Sequence, residues 1–141
     1  MNKAIGVNSF IFVYGTLRKN SGTRMSHILA RYSEYIGEAT MQGVLYEVED
    51  YPGVIESTNP EELVCGELYK IFDEAILLPL LDDYEACSKQ FLQPHEYVRK
   101  ALPVTLADGD TVLAWVYIYN RDVTGLQRIN RQYFEKINQD G

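Results

Sequence analysis

The first apolar run of the chain is unbroken. Residues 9–14 read SFIFVY, with four consecutive bulky apolar residues at 10–13. A run without alternation is typical of a central strand that is buried on both faces. It stops at Gly15, in the stretch YGTLR, where a residue without a side chain follows the bulky ones. The pattern predicts a buried strand at 9–14 that leads into a turn.

Two later segments carry apolar residues at helical spacing. The first is 24–32, with apolar positions at Met25, Ile28, Leu29 and Tyr32. The second is 73–86, with Ile76, Leu77, Leu80, Leu81 and Tyr84. Asp73 opens this second helix, and Pro79 lies inside it, where a proline is expected to kink or divide the helix.

Strand-forming residues dominate the segments between these two helices. The segments 35–48, 53–57 and 63–71 are rich in β-branched and aromatic residues. They are interrupted by Gly37, Gly43, Gly53 and Gly66. Short strands with glycine kinks suit a strongly curled sheet or a small barrel.

A hairpin is predicted later in the chain, where 95–106 and 111–119 flank the turn ADGD at 107–110. Asp-Gly favours such a turn because it tolerates the positive φ that tight hairpins need. Alternation in the second strand puts Val112, Ala114, Val116 and Ile118 on one face, and Leu113, Trp115, Tyr117 and Tyr119 on the other. The segment 126–137 is amphipathic through Leu126, Ile129, Tyr133, Phe134 and Ile137.

No linker or internal repeat divides the chain. The pattern therefore predicts a single α+β domain over residues 1–141, with a mixed barrel-like β-sheet and a few flanking helices.

The charge balance excludes one class of partner. The chain has 13 Lys and Arg against 20 Asp and Glu, a formal net charge of −7. Nucleic-acid binding relies on clustered basic side chains, so we expect no nucleic-acid partner. No apolar run approaches the roughly 20 residues of a membrane span, and no signal peptide is recognisable. We therefore expect a cytoplasmic protein that has no membrane partner.

Metal-binding residues are scarce in the sequence. Cys65 and Cys87 form no C-x-x-C pair, and there are only two histidines, His27 and His95. We expect no metal site and two buried thiols. The chain also lacks the G-x-S-x-G elbow, the P-loop and G-x-G-x-x-G, which argues against a serine hydrolase and a phosphate-binding loop.

One acidic residue, Glu85, has a position suited to catalysis. It closes the helix predicted at 73–86, where the negative end of the helix dipole and partial burial would both disfavour its charged form. A carboxyl group with a raised pKa can take up and release protons near neutral pH. A solvated acid at a helix end is the alternative, and composition alone favours it.

Four stretches resemble the gamma-glutamylcyclotransferase-like family, and in particular its gamma-glutamylamine cyclotransferase type. VYGTLR at 13–18 resembles the family's signature turn, and LLDDYEA at 80–86 resembles the motif that carries its catalytic glutamate. EYVRKALPV at 96–104 and AWVYIY at 114–119 resemble two later strands. The resemblance covers about residues 10–120 in the family's order.

The resemblance implies a set of site residues. The substrate-binding turn corresponds to Tyr14, Gly15, Thr16 and Leu17, the catalytic glutamate to Glu85, and further substrate-binding residues to Arg99 and Tyr119. The bare backbone at Gly15 would let main-chain N–H groups face a ligand carboxylate or a developing oxyanion. Ala86 departs from the family pattern, which usually has glycine after the glutamate.

The implied reaction converts a γ-glutamyl amine or γ-glutamyl amino acid, as small-molecule substrate, to 5-oxoproline and a free amine. The α-amine attacks its own γ-carbonyl, and one glutamate acts as base and then as acid, so the resemblance implies no metal and no organic cofactor. A non-catalytic module that binds a small ligand on the same fold is the alternative. The sequence leaves open which amine is released and the oligomeric state.

Overall fold

The computed structural model describes residues 9–14, 24–48, 51–84 and 97–129. Its elements in chain order are β1 (Phe10–Val13), α1 (Arg24–Tyr32), β2 (Ser33–Val48), β3 (Tyr51–Glu56), β4 (Leu63–Ile71), α2 (Glu74–Tyr84), β5 (Tyr97–Leu106), β6 (Thr111–Tyr119) and β7 (Gln127–Ile129).

Five of the strands close into a barrel in the order β2, β4, β1, β6 and β5. β1 lies between two partners that come much later in the chain, antiparallel to β4 and parallel to β6. The barrel closes where β5 pairs with β2, at Ala39 with Leu106 and Thr40 with Thr105. The prediction of an α+β fold with a mixed, barrel-like sheet is confirmed.

β2 is longer than the glycine pattern indicated. It continues for 16 residues through Gly37 and Gly43, with only a shift of register between Tyr35 and Gly37. Its second half carries β3 and β7. The expectation of short, glycine-interrupted strands was therefore wrong for β2. Gly43 instead allows a close approach, because a Cβ there would lie 2.7 Å from the carbonyl oxygen of Ile55.

The barrel interior is filled by alternate residues of its strands. Ala114, Val116 and Ile118 of β6 belong to the apolar cluster in this interior, together with Phe12 and Leu68, and Val112 packs against the cluster. On the other face of β6, Leu113 is exposed, whereas Trp115, Tyr117 and Tyr119 pack under the helices. The two faces predicted from the alternation are confirmed.

A second apolar cluster covers the outside of the barrel, between the sheet and the two helices. It includes Ile11 and Val13 from β1, Leu29 from α1 and Leu77 and Leu81 from α2. Residues 11–13 are at most 2% exposed, so β1 is buried on both faces as predicted. Each fully buried large apolar side chain contributes about 1.5–3 kcal/mol, and this burial holds the helices on the sheet.

The second helix begins as expected, with the Asp73 carboxylate accepting a hydrogen bond from the backbone N–H of Ala75 at 3.0 Å. It buries Leu77, Leu78 and Leu81. Ile76 and Leu80, which the helical stripe included, are 46% and 39% exposed. They lie about 100° around the helix from their buried neighbours, and the sheet covers only one side.

Pro79 does not end α2, which is continuous as Glu74–Tyr84.

The predicted hairpin turn is confirmed, with Gly109 at a φ of 95°. Residues at the start of the amphipathic segment 126–137 form β7 along β2, and those from 130 onward lie outside the described residues. Neither of the two described helices is long and apolar enough to cross a membrane.

Candidate functional site

The face of the barrel beneath α2 carries a ladder of large side chains from β5 and β6. In the antiparallel register Tyr97 lies opposite Tyr119, and Arg99 lies opposite Tyr117. Because side chains alternate along a strand, these four residues point to the same face. Two of the predicted substrate-binding residues, Arg99 and Tyr119, therefore belong to one surface.

Arg99 forms the central ion pair of this face. Its Nε and Nη2 lie 2.9 and 3.0 Å from the two carboxylate oxygens of Asp82, on the last turn of α2. The Tyr117 hydroxyl donates to Asp82 Oδ1 at 2.7 Å. The Arg99 and Asp82 side chains are 25% and 19% exposed, so the pair is partly shielded from water. A bidentate, partly buried pair is stronger than a typical surface ion pair.

A second carboxylate holds the start of the same helix. The Arg99 guanidinium stacks on the Trp115 ring with its central carbon 4.7 Å from the ring centroid. The Trp115 indole N–H donates to Glu74 Oε2 at 2.7 Å, and the Ser9 hydroxyl donates to the same oxygen. The Ser9 hydrogen bond, and after it the Trp115 hydrogen bond, hold the pKa of the Glu74 carboxyl below its usual value.

Tyr14 anchors the end of β1 to the same part of β6. Its hydroxyl donates to the Tyr117 carbonyl oxygen at 2.6 Å and accepts from the Val54 backbone N–H at 3.3 Å. The half-buried ring packs against the barrel interior. Tyr14 thus fixes the position at which the chain leaves β1.

Tyr119 is packed from both sides. Its ring meets Tyr97 edge-on at 5.6 Å between centroids, and the Tyr97 hydroxyl donates to the Pro52 carbonyl oxygen at 3.0 Å. The backbone of Gly53 lies against it, since a Cβ at Gly53 would come within 3.0 Å of Tyr119 Cβ. Only 9% of Tyr119 is exposed.

The predicted site residues divide into two groups. Tyr14, Arg99 and Tyr119 are described, and they all lie on or against β6 near Tyr117. The turn residues Gly15, Thr16 and Leu17 and the acid Glu85 lie outside the described residues. The functional roles of all seven residues stay predictions.

Sequence reasoning missed the contacts that organise this face. Nothing in the sequence paired Asp82 with Arg99. Sequence reasoning also missed Glu67 in β4, which is 2% exposed and accepts a hydrogen bond from the Tyr69 hydroxyl at 3.0 Å. The only available signal for Glu67 was an acid inside the apolar run LVCGELYKI.

A separate open groove of about 390 Å³ lies between β2, β4 and β7. Gly43, Leu63 and Cys65 line it, together with Arg128, which forms an ion pair with Glu62 at 2.9 Å. Cys65 is buried as expected, while Cys87 lies outside the described residues. Within the described part of the chain, no cluster of three or more His, Cys, Asp or Glu side chains could hold a metal ion.

The barrel with a ladder of polar and aromatic side chains beneath α2 places the protein among small α+β barrels. The crystal structure of YkqA from Bacillus subtilis has the same fold, with a TM-score of 0.66 and 27% identity over 95% of this chain. The chain belongs to the gamma-glutamyl cyclotransferase, AIG2-like family, whose profile matches residues 11–136.

Relatives from several bacteria agree with this assignment. The gamma-glutamylcyclotransferase family protein YtfP of Escherichia coli is 31% identical over 120 residues, 84% of this chain and 89% of YtfP. The gamma-L-glutamyl-butirosin B gamma-glutamyl cyclotransferase of Niallia circulans is 29% identical over 79% of this chain and 67% of that protein. YkqA is 32% identical over 116 residues, but the matched part spans only 37% of its length.

Proposed function

We propose that the protein is a cyclotransferase that converts a γ-glutamyl amine or γ-glutamyl amino acid to 5-oxoproline and a free amine. The observation that carries this proposal is that residues from two family motifs both form hydrogen bonds with Tyr117. Its carbonyl oxygen accepts from Tyr14, which precedes Gly15, and its hydroxyl donates to Asp82, three residues before Glu85. Two segments that lie far apart in the sequence are thereby anchored to one residue.

The proposed reaction exchanges one amide for another. The α-amine of the substrate attacks the γ-carbonyl carbon, a C–N bond of the five-membered ring forms, and the bond to the leaving amine breaks. A proton leaves the α-ammonium group and a proton joins the departing amine, so no water is consumed. Because the attack is intramolecular, holding the substrate in a folded conformation supplies much of the acceleration.

We assign both proton transfers to Glu85, first as base and then as acid. In this proposal the backbone at Gly15 stabilises the oxyanion on the γ-carbonyl oxygen, and Tyr14, Thr16 and Leu17 form the rest of the binding turn. Arg99 and Tyr119 complete the substrate-binding face. Both are described next to Tyr117, which supports their inclusion.

The relative from Niallia circulans bears on the leaving group. Its name gives γ-L-glutamyl-butirosin B as the substrate. This supports including γ-glutamyl compounds other than dipeptides among the substrates to be tested. The chain matches only 67% of that relative, so the particular amine is a matter for a substrate screen.

The decisive experiment is a screen for 5-oxoproline release from γ-glutamyl amines and γ-glutamyl dipeptides, with wild-type protein and Glu85→Gln. The variant keeps the size of the side chain but cannot accept a proton, so we expect turnover to fall by about 10³–10⁴-fold while ligand binding persists. Asp83→Asn, in the same motif, is the matched control and should stay active. The wild-type rate should rise with pH as Glu85 loses its proton.

Two results would contradict the proposal. Turnover by Glu85→Gln at near the wild-type rate would show that another group moves the protons. Binding of several γ-glutamyl compounds without turnover by the wild-type protein would favour the non-catalytic binding module, which Ala86 in place of the usual glycine also favours.

A further inference from the structure

Polar contacts fasten α2 to the sheet at both of its ends. Glu74 in its first turn accepts from Trp115, and Asp82 in its last turn is held by Arg99 and Tyr117. Arg99 connects the two ends, because it pairs with Asp82 and stacks on Trp115. Apolar packing alone would allow the helix to slide, whereas hydrogen bonds of defined geometry fix where it lies.

The contact at Asp82 has the stronger geometry of the two ends. Two parallel N–H to oxygen bonds at 2.9 and 3.0 Å fix the direction of the carboxylate, and the phenol hydroxyl adds a third bond at 2.7 Å. Three charge-assisted bonds to one carboxylate constrain both its position and its rotation.

Glu85 follows Asp82 by three residues, which sets an upper limit on their separation. Three residues span at most about 10–11 Å between Cα atoms in any backbone conformation. A displacement of the last turn of α2 therefore reaches Glu85 through the chain. The two carboxylates also act on each other through the electric field to the extent that their separation is near or below the screening length, about 8 Å in physiological salt.

We propose that Asp82 is a positioning residue, whose ion pair with Arg99 and hydrogen bond from Tyr117 hold the last turn of α2, and the chain leading into Glu85, against β5 and β6. This inference rests on the proposed function, in which Glu85 moves the protons. It gives Arg99 a role beyond substrate binding, since its pairing with Asp82 also keeps the local charge balanced.

Other charged or titratable groups share this face. Glu67 and Tyr69 of β4 lie on it, next to β1, and Glu74 is at the far end of α2. These groups are unchanged in every variant below. They cannot produce shifts of opposite sign between variants that differ only at Asp82 and Arg99.

The test is a titration of the Glu85 carboxyl carbon by carbon-13 NMR in the full chain, with Glu85→Gln identifying the signal. Asp82→Asn removes a negative charge close to Glu85 in the chain and should lower the pKa of Glu85. Arg99→Gln removes a positive charge and should raise it. We expect shifts of roughly 0.2–0.5 pH unit in each direction, and a double variant close to the wild type.

Lys100→Gln is the matched control. Lys100 follows Arg99 on β5 and forms an exposed ion pair with Glu56 at 2.7 Å. Its side chain points away from the ladder, because neighbouring residues of a strand face opposite sides. The Lys100→Gln variant removes one positive charge, as Arg99→Gln does, but should leave the pKa of Glu85 unchanged.

Shifts in the same direction, or no shift in either single variant, would overturn the proposal. If Arg99→Gln fails to fold, Asp82→Asn alone decides, because only a lowered pKa of Glu85 agrees with the proposal. These titrations need no substrate. A wild-type protein that turns over no γ-glutamyl compound would refute the proposed function without affecting the NMR result.

Kinetics give an independent readout once a substrate is found. Tyr117→Phe removes one bond to Asp82 without changing any charge, so kcat should fall about 10-fold to 100-fold while KM changes less than about threefold. A change confined to KM in Asp82→Asn and Tyr117→Phe would instead assign these residues to substrate binding and overturn the positioning role.

Discussion

Gly66 lies in β4 against the end of β1. A Cβ at this position would lie 2.4 Å from the Val13 carbonyl oxygen and 2.6 Å from the Phe12 ring. Neither neighbour can move easily, since one is backbone and the other is 1% exposed in the barrel interior. The absence of a side chain at Gly66 is therefore a packing requirement, and it sets the spacing of two central strands.

We predict that Gly66→Ala lowers the free energy of unfolding by about 2–3 kcal/mol, because the added methyl group overpacks the barrel. Urea denaturation measures the change. Gly37→Ala is the control, since among the described residues a Cβ there meets only a side-chain atom of Leu106, at 3.8 Å. Equal stability of the two variants would show that the barrel adjusts to a methyl group at Gly66.

At the scale of elements, the contact between α2 and Trp115 should depend on pH. Hydrogen bonds from Ser9 and Trp115 keep the pKa of Glu74 below its usual 4.5. A carboxyl group with a lowered pKa in the folded state stabilises the fold above its unfolded pKa. That stability is lost as the pH falls through the folded value.

We expect the fluorescence of Trp115, the only tryptophan in the chain, to change as the pH is lowered below about 4.5. In Glu74→Gln the fluorescence change should disappear, and the free energy of unfolding should fall less steeply as the pH is lowered. Glu61→Gln, at an exposed acid in the β3–β4 connection, is the control. If Trp115 fluorescence depends on pH in the same way in the wild type and in Glu74→Gln, the ionisation of Glu74 does not cause the change.

Several elements could be predicted because their signals are local. The apolar run in β1, the alternation in β6 and the Asp-Gly turn between β5 and β6 each depend on neighbouring residues, and all three are confirmed. The continuity of β2 and the pairing of β7 could not be predicted in this way. Both depend on which strands pair with β2 in the folded sheet, and one of them, β7, is far from β2 in sequence.

The candidate site was predictable only in part, for the same reason. Motif resemblance indicated Tyr14, Arg99 and Tyr119, which the fold places around one residue of β6. It gave no indication of the bonds from Asp82 to Arg99 and Tyr117. Such bonds depend on the angle at which α2 crosses the sheet, and helix packing sets this angle rather than any local pattern.

On the scale of the whole molecule, two pairings in the barrel are short. Among the described residues β2 and β5 pair through two residue pairs and β1 and β6 through one, whereas β5 and β6 pair along nine. Opening the barrel between β1 and β6 would expose residues 11–13, which are at most 2% exposed, whereas few backbone bonds and less buried surface oppose opening at the β2–β5 seam. The least costly opening of the barrel is therefore expected between β2 and β5.

Native-state hydrogen exchange tests this expectation. We predict that the opening reaction that exposes the amide protons of the β2–β5 seam costs at least about 2 kcal/mol less free energy than the one that exposes the amides near Val116 in β6. Amides between β2 and β4, which pair from Ser33 to Gln42, provide the comparison within the same strand. Exchange of the seam amides only by global unfolding would show that the barrel opens as one unit.

The central position of β1 also determines when the fold can be completed during synthesis. Its two neighbours, β4 and β6, are translated after it, and Ile11 pairs with Trp115, roughly a hundred residues later. Until both neighbours leave the ribosome, the nascent chain carries an apolar strand with free edges, which invites association with other chains. Of the described strands, β1 (Phe10–Val13) is thus made earliest and is among the last to have both of its edges paired.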